Sequence, residues 1–179
     1  SRVLLALAPF TPPTPAMIAD GVAVGLAFDL TRQRPLAKTA DFAVARRRYP
    51  AGQVAGVYEN LLVDAQGLIL EGSSTNFYGV RQGVVYTAGR GVLEGVTRQI
   101  VLDLLGQLAI PLRLEAIHRD EVGALDEAFL SGSSRAILPV VTIAGQQIGN
   151  GRPGPIGRRL LMAYNDFVVR TIQPAISDL

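Results

Sequence analysis

Lys38 is the only lysine in the chain, set against sixteen arginines. A guanidinium cannot lose its proton and attack a carbonyl, whereas an amine can once burial or a nearby cation lowers its pKa. A compositional bias toward arginine is the other explanation of a lone lysine. Three further groups could work beside such an amine. Glu71 ends the apolar run Leu68-Ile69-Leu70 and meets the small-residue turn Gly72-Ser73-Ser74-Thr75. It is either set beside a ligand or an ordinary solvated strand-end carboxylate. Val96 and Thr97 open the clearest helical segment, where free backbone N–H groups and the positive dipole end attract anions. Hydroxyl residues are also common there simply as caps. Ser133 and Ser134, in Ser131-Gly132-Ser133-Ser134, can offer N–H and O–H groups to a phosphate or carboxylate; a plain polar turn is the alternative.

The elements that must carry these groups are legible in outline. Residues 2–9 and Val22 to Leu30 read as apolar strands, separated by a Pro-rich loop from Thr11 to Pro15. Lys38 falls in a polar loop, Arg32 to Thr39, before a short helix from Ala40 to Tyr49 that Pro50 ends. Tyr58 to Asp64 is strand-like, Gln66-Gly67 supplies a turn, and Leu68-Ile69-Leu70 begins the next strand. Asn76 to Val80 and Val84 to Thr87 form a hairpin around Arg81-Gln82-Gly83. Helical spacing of Ile100, Val101, Leu104, Leu105 and Leu108 predicts a helix from Gly95 to Ala109, which Pro111 stops. Leu112 to Ile117 reads as a strand and Arg119 to Ala124 as a short polar helix or turn. Ala128 to Leu130 and Ile137 to Ile143 read as strands around the serine loop, and a last amphipathic helix covers about 156–169. The alternation indicates an α/β or α+β fold with a mixed sheet, and residues 1–179 fit one domain with a sizeable core.

Composition removes several chemistries. Without cysteine there is no disulfide, thiolate nucleophile or Cys-bound metal. His118 is the only histidine, which argues against an imidazole metal site and leaves a Ser-His-Asp triad only if His118 serves it. Arg46-Arg47-Arg48 is the one dense basic run; no aromatic residues interleave with it, so no nucleic-acid partner is expected. No apolar run is long enough for a membrane span. A cytoplasmic protein is the default expectation.

The four groups together meet the needs of one cofactor, pyridoxal 5′-phosphate. It requires an amine to hold its aldehyde as an imine, an anion at its ring nitrogen and a phosphate cradle. Lys38, Glu71, and the pairs Val96-Thr97 and Ser133-Ser134 supply these in turn. The chain resembles the class IV (fold type IV) pyridoxal-phosphate enzymes: branched-chain and D-amino acid aminotransferases and aminodeoxychorismate lyases. The resemblance is carried by Lys38-Thr39-Ala40-Asp41, Leu70 to Phe77 (LEGSSTNF), Leu93 to Arg98 (LEGVTR), Asp126 to Ser134 (DEAFLSGSS) and the tail from Ile143 to Pro155. It implies a mixed-sheet pseudo-barrel flanked by helices, like the large domain of D-amino acid aminotransferase-like enzymes, with the small N-terminal domain absent. It implies Lys38 as the imine lysine and proton shuttle, and Glu71 as partner of the pyridinium nitrogen. Val96, Thr97 and Ser133 would hold phosphate, Ser134 phosphate or substrate carboxylate, and Arg98 a structural place. The expected activity is amino transfer between amino acid and 2-oxo acid in a homodimer, the alternatives being a lyase on the same scaffold or a non-catalytic cofactor-binding remnant. Arg135 could reach a substrate carboxylate or a partner subunit, or serve as a structural or surface arginine. One departure is local: branched-chain members have a tyrosine shortly after the lysine, and the nearest counterpart here is Phe42.

Overall fold

The computed structural model describes residues 9–32, 34, 37–48 and 56–177. Of the expected strand over residues 2–9, residues 2–8 lie outside the described residues and Pro9 is not in a strand; Tyr49 and Pro50 also lie outside them. The elements are α1 (Pro15–Asp20), β1 (Val22–Ala27), α2 (Ala40–Ala45), β2 (Val57–Val63), β3 (Leu68–Gly72), β4 (Asn76–Arg81) and β5 (Val84–Tyr86). There follow α3 (Val96–Gln107), β6 (Leu112–Arg113), β7 (Ile117–His118), β8 (Glu127–Gly132), β9 (Ala136–Ile143), β10 (Gln146–Gln147) and α4 (Pro155–Ser177).

The strands close on themselves. β4, β8, β9, β1, β2 and β3 pair in that order, and β3 returns to β4 through Glu71 and Asn76. β1 lies parallel to both β2 and β9, while the other ring pairs are antiparallel, so the mixed pseudo-barrel is present. Strand alternation then separates two cores. Phe77, Leu130 and Leu138 face a cluster with Val24, Leu61, Val63 and Ile69. Their neighbours Tyr78, Phe129 and Ile137 face a second cluster with Val101, Leu104 and Leu105 of α3 and Leu160 of α4. Tyr78 and Phe129 are direct cross-strand partners, with ring centroids 4.8 Å apart. Both faces of β4 and β8 are thus apolar, which is why these segments read as runs rather than as alternating strands.

Three local departures from the sequence reading have physical causes. Thr11 to Pro15 is not loop throughout: Thr14 caps α1 by accepting the Met17 N–H at 3.2 Å, with Pro15 in the first turn. The helix after Lys38 is only six residues long and tightens into a 3₁₀ turn at Arg46–Arg48. Leu112 to Ile117 is two short strands rather than one, because Leu112–Arg113 pairs with β5 and Ile117–His118 with β3. The β4–β5 hairpin turns where expected, with Gln82 and Gly83 at positive φ (51° and 75°). No described helix is long and apolar enough to cross a membrane.

Candidate active site

Lys38 immediately precedes Thr39, the cap of α2, whose Oγ1 accepts the Phe42 N–H at 3.3 Å. Phe42 then plugs a small apolar cluster with Ala27, Leu30 and Leu62. This packing seats α2 on β1 and β2 and fixes where Lys38 leaves the chain. The residue is exposed and borders a cleft of about 770 Å³ that Glu71, Thr97, Ser133 and Ser134 also line. Glu71, the pair Val96-Thr97 and the pair Ser133-Ser134 lie far apart in sequence; the barrel closure, the start of α3 and the β8–β9 turn bring them to one rim.

Glu71 is no solvated strand-end acid: it is 1% exposed. Its Oε1 accepts Arg32 Nε–H at 2.7 Å, and its Oε2 accepts the Leu93 N–H at 2.9 Å and an Asn76 amide hydrogen at 3.4 Å. Burial pushes its carboxyl above the ordinary value, opposed by the Arg32 and Leu93 donors. α3 begins at Gly95 without a side-chain cap. Its first turn therefore presents backbone N–H groups with no side chain spent on them, and the Thr97 and Ser133 hydroxyls stand 3.4 Å apart beside it. Val96 itself is an exposed residue lining the same cleft.

The serine loop is shorter than the sequence suggested. Ser131 belongs to β8, is wholly buried, and lies 3.0 Å from the Tyr78 hydroxyl, a phenol that burial pushes up to about 12. Ser133 and Ser134 form the exposed turn. Arg135 donates from Nε to the Tyr58 hydroxyl at 2.7 Å and from Nη1 to Ser134 Oγ at 3.2 Å, at the edge of the cleft. Arg98 is buried and donates to the Ala88 carbonyl at 2.9 Å, as a structural arginine would. His118 sits away from this cleft, with Nε2 3.1 Å from the Gln66 carbonyl.

Sequence reasoning missed two acid–base features. Glu59, 3% exposed on β2, accepts the Ser73, Ser74 and Thr75 hydroxyls at 3.0, 2.7 and 2.8 Å, together with the Ser74 N–H. The turn after Glu71 therefore spends its hydroxyls on Glu59. A carboxylate inside the apolar run Val57–Val63 was the available signal. Arg32 was missed because nothing in its local sequence marks a partner 39 residues away.

This donor set fits a pyridoxal-type cofactor. It offers one primary amine at the cleft edge, a buried carboxylate held by hydrogen bonds, and a helix start with two adjacent hydroxyls. Among the described residues, the lining cations Arg32, Lys38, Arg46 and Arg135 outnumber the carboxylates Glu71 and Glu94, which suits an anionic ligand.

The family model for amino-transferase class IV matches residues 1–143. The branched-chain-amino-acid aminotransferase of Pseudomonas aeruginosa is 37% identical over 114 residues, covering 63% of this chain and 37% of that protein. The D-alanine aminotransferase of Bacillus licheniformis is 34% identical over 119 residues, covering 65% and 42%. The crystal structure of the Escherichia coli branched-chain amino acid aminotransferase superimposes with a TM-score of 0.71 at 26% identity, covering 86% of this chain and 53% of that one. The chain thus spans about half the length of the proteins it matches, or less. Matched over most of its length and folded as they are, it belongs to the class IV amino-transferase family.

Proposed function

We propose that this chain is the cofactor-holding unit of a pyridoxal-phosphate-dependent aminotransferase, which moves an amino group between an amino acid and a 2-oxo acid. The observation that carries the reading is the meeting of Lys38, Glu71, Thr97 and Ser133 around one cleft in a chain of this family. In this reading residues 1–179 are the large domain, and its assembly is a homodimer. When bound, the cofactor supplies an electron sink that renders the α-proton of an amino acid acidic. Lys38 Nζ holds the aldehyde end and, when released, takes up and returns the substrate α-proton. Glu71 holds a negative charge toward the ring nitrogen. The N–H groups of Val96 and Thr97, with the Thr97 and Ser133 hydroxyls, bind phosphate at the start of α3. Ser134 lies beside them, next to phosphate or the substrate carboxylate.

The test mixes the purified chain with pyridoxal phosphate, reduces with borohydride and maps the modified peptide by mass. Covalent cofactor on Lys38, lost in Lys38→Ala, is the expected result. Amino acid and 2-oxo acid pairs then separate activities: amino transfer consumes an acceptor, while a lyase product would form without one. No attachment to Lys38, either in this chain or in a longer protein containing it, would overturn the proposal.

A further inference from the structure

Arg32 is the least expected member of the site. It leaves the loop after β1 and buries its side chain to 6% exposure against a Glu71 side chain at 2%. Its guanidinium carbon lies 3.9 Å from the centroid of the Phe42 ring. One end of the side chain is thus ion-paired and one face is covered by an aromatic π-system, an arrangement that both orients and desolvates a cation. An ionised carboxylate offers about four lone-pair positions. Arg32, Leu93 N–H and Asn76 occupy three of Glu71's, which leaves one for a further donor.

We propose that Arg32, clamped between Phe42 and Glu71, is a positioning residue that fixes the Glu71 carboxylate in place and favours its anionic form for a donor entering the cleft. The proposal rests on the pyridoxal reading for the identity of that donor, the ring nitrogen, but not for the clamp itself. Besides Arg32, only neutral donors, the Leu93 N–H and an Asn76 amide hydrogen, hold its charge among the described residues. Among the described residues, Glu59 on β2 faces it with a like charge, which favours the neutral acid, as does burial. Lys38 and Arg46, on the segment that includes α2, and Arg135, after β8, line the same cleft. Arg32 is the one cation bonded to the carboxylate among the described residues. Phe42 has a specific part here. The resemblance leads one to expect a hydroxyl-bearing ring near this position, and this chain instead lays a bare ring on the guanidinium.

The test begins on the cofactor-free chain and so does not depend on the proposed activity. Side-chain carboxyl ¹³C shifts, with Glu71 assigned through Glu71→Gln, report its titration directly. Arg32→Met should raise the Glu71 midpoint, Arg32→Lys should return it part of the way, and Phe42→Leu should raise it less than Arg32→Met does. Wild-type protein alone gives a further check should Arg32→Met fail to fold: the Arg32 Nε–H should appear as a shifted, slowly exchanging ¹⁵N-linked resonance. In the loaded protein, Arg32→Met should weaken pyridoxal phosphate binding about tenfold, the scale of one charge-assisted hydrogen bond, and make the visible band of the bound cofactor pH-dependent where wild type is not. Arg32→Lys should reverse part of both effects. An unchanged Glu71 midpoint in Arg32→Met, or a rapidly exchanging Arg32 Nε–H in wild type, overturns the clamp. So does tighter cofactor binding by Arg32→Met, which would mean that the guanidinium stands where the ring belongs. If wild type binds no cofactor, the proposed function fails, while the Glu71 titration still judges Arg32.

Discussion

Glu59 and Glu71 show how differently two buried carboxylates can be used. Glu59 is saturated by the turn it holds: three hydroxyls and one N–H converge on it. A Cβ on Gly72 would overlap Thr75 Oγ1 and crowd the Glu59 carboxylate, so the turn closes this tightly only on glycine. Glu59→Gln replaces an acceptor-only group with one that brings its own donors, leaving hydroxyls mispaired; a loss of about 2–3 kcal/mol is expected in urea unfolding. Glu71 is held more loosely and above its ordinary value of 4.5, chiefly by burial. The folded chain therefore keeps this proton to higher pH than the unfolded chain does. The stability contributed by Glu71 is full below 4.5 and declines as pH rises through the folded value. Urea unfolding across that window should show wild type losing stability relative to Glu71→Gln as pH rises; a constant difference would disprove the shift. Lys38 and Glu71 were legible because their motifs are local. Arg32 and Glu59 were not, because their meaning lies in partners that only the fold supplies.

The elements act mainly by where they begin. α2 begins beside Lys38, capped by Thr39, and α3 begins uncapped at Gly95. The first helix start has a side-chain cap and the second has none, which is why we propose the second as the anion site. Thr97→Val tests that division. It removes a hydroxyl from the open helix start while keeping shape and burial, so phosphate-bearing ligand should lose affinity by about tenfold. Pyridoxal without its phosphate should bind the variant as it binds wild type, which fluorescence titration of both ligands can check. An equal loss for the two would mean that Thr97 only supports packing. α4 shows the opposite solution. Glu127, buried at the start of β8, accepts the Ile156 and Gly157 N–H groups at 3.1 and 3.0 Å and so caps α4 from a strand. Periodicity announced α3 and α4, and the hairpin was plain from Gln82-Gly83. α1 is hard to read although Thr14-Pro15 is a sound helix-start signal, because a proline that suits a first helical turn stands here among prolines that mark a loop.

At the scale of the molecule the decisive event is closure of the sheet. A mixed sheet could be read from alternating segments, but which strands meet at the seam depends on pairings far apart in sequence. Pairing order set the two edges that split Leu112 to Ile117, and it buried Ser131 inside β8. The seam itself is narrow: β3 and β4 join through the single pair Glu71 and Asn76, so the site carboxylate is also a barrel residue. Asn76 ties the seam to the segment before α3, donating to the Leu93 carbonyl at 2.8 Å while Leu93 N–H returns to Glu71. Barrel closure and the placing of the helix start are thus one hydrogen-bonded loop through Glu71, Asn76 and Leu93. Asn76→Ala cuts that loop without adding bulk, and leaves the Leu93 carbonyl without its side-chain donor. That carbonyl keeps the Gly95 N–H at 2.9 Å, so the expected loss is that of one side-chain hydrogen bond, about 1 kcal/mol. Hydrogen exchange should accelerate at residues 71–77 and 92–97 together while β8 and β9, paired along their length, keep their protection. Acceleration confined to one of the two segments would mean that seam and helix start are independent, and the site would then owe its assembly to packing of α3 on the sheet alone.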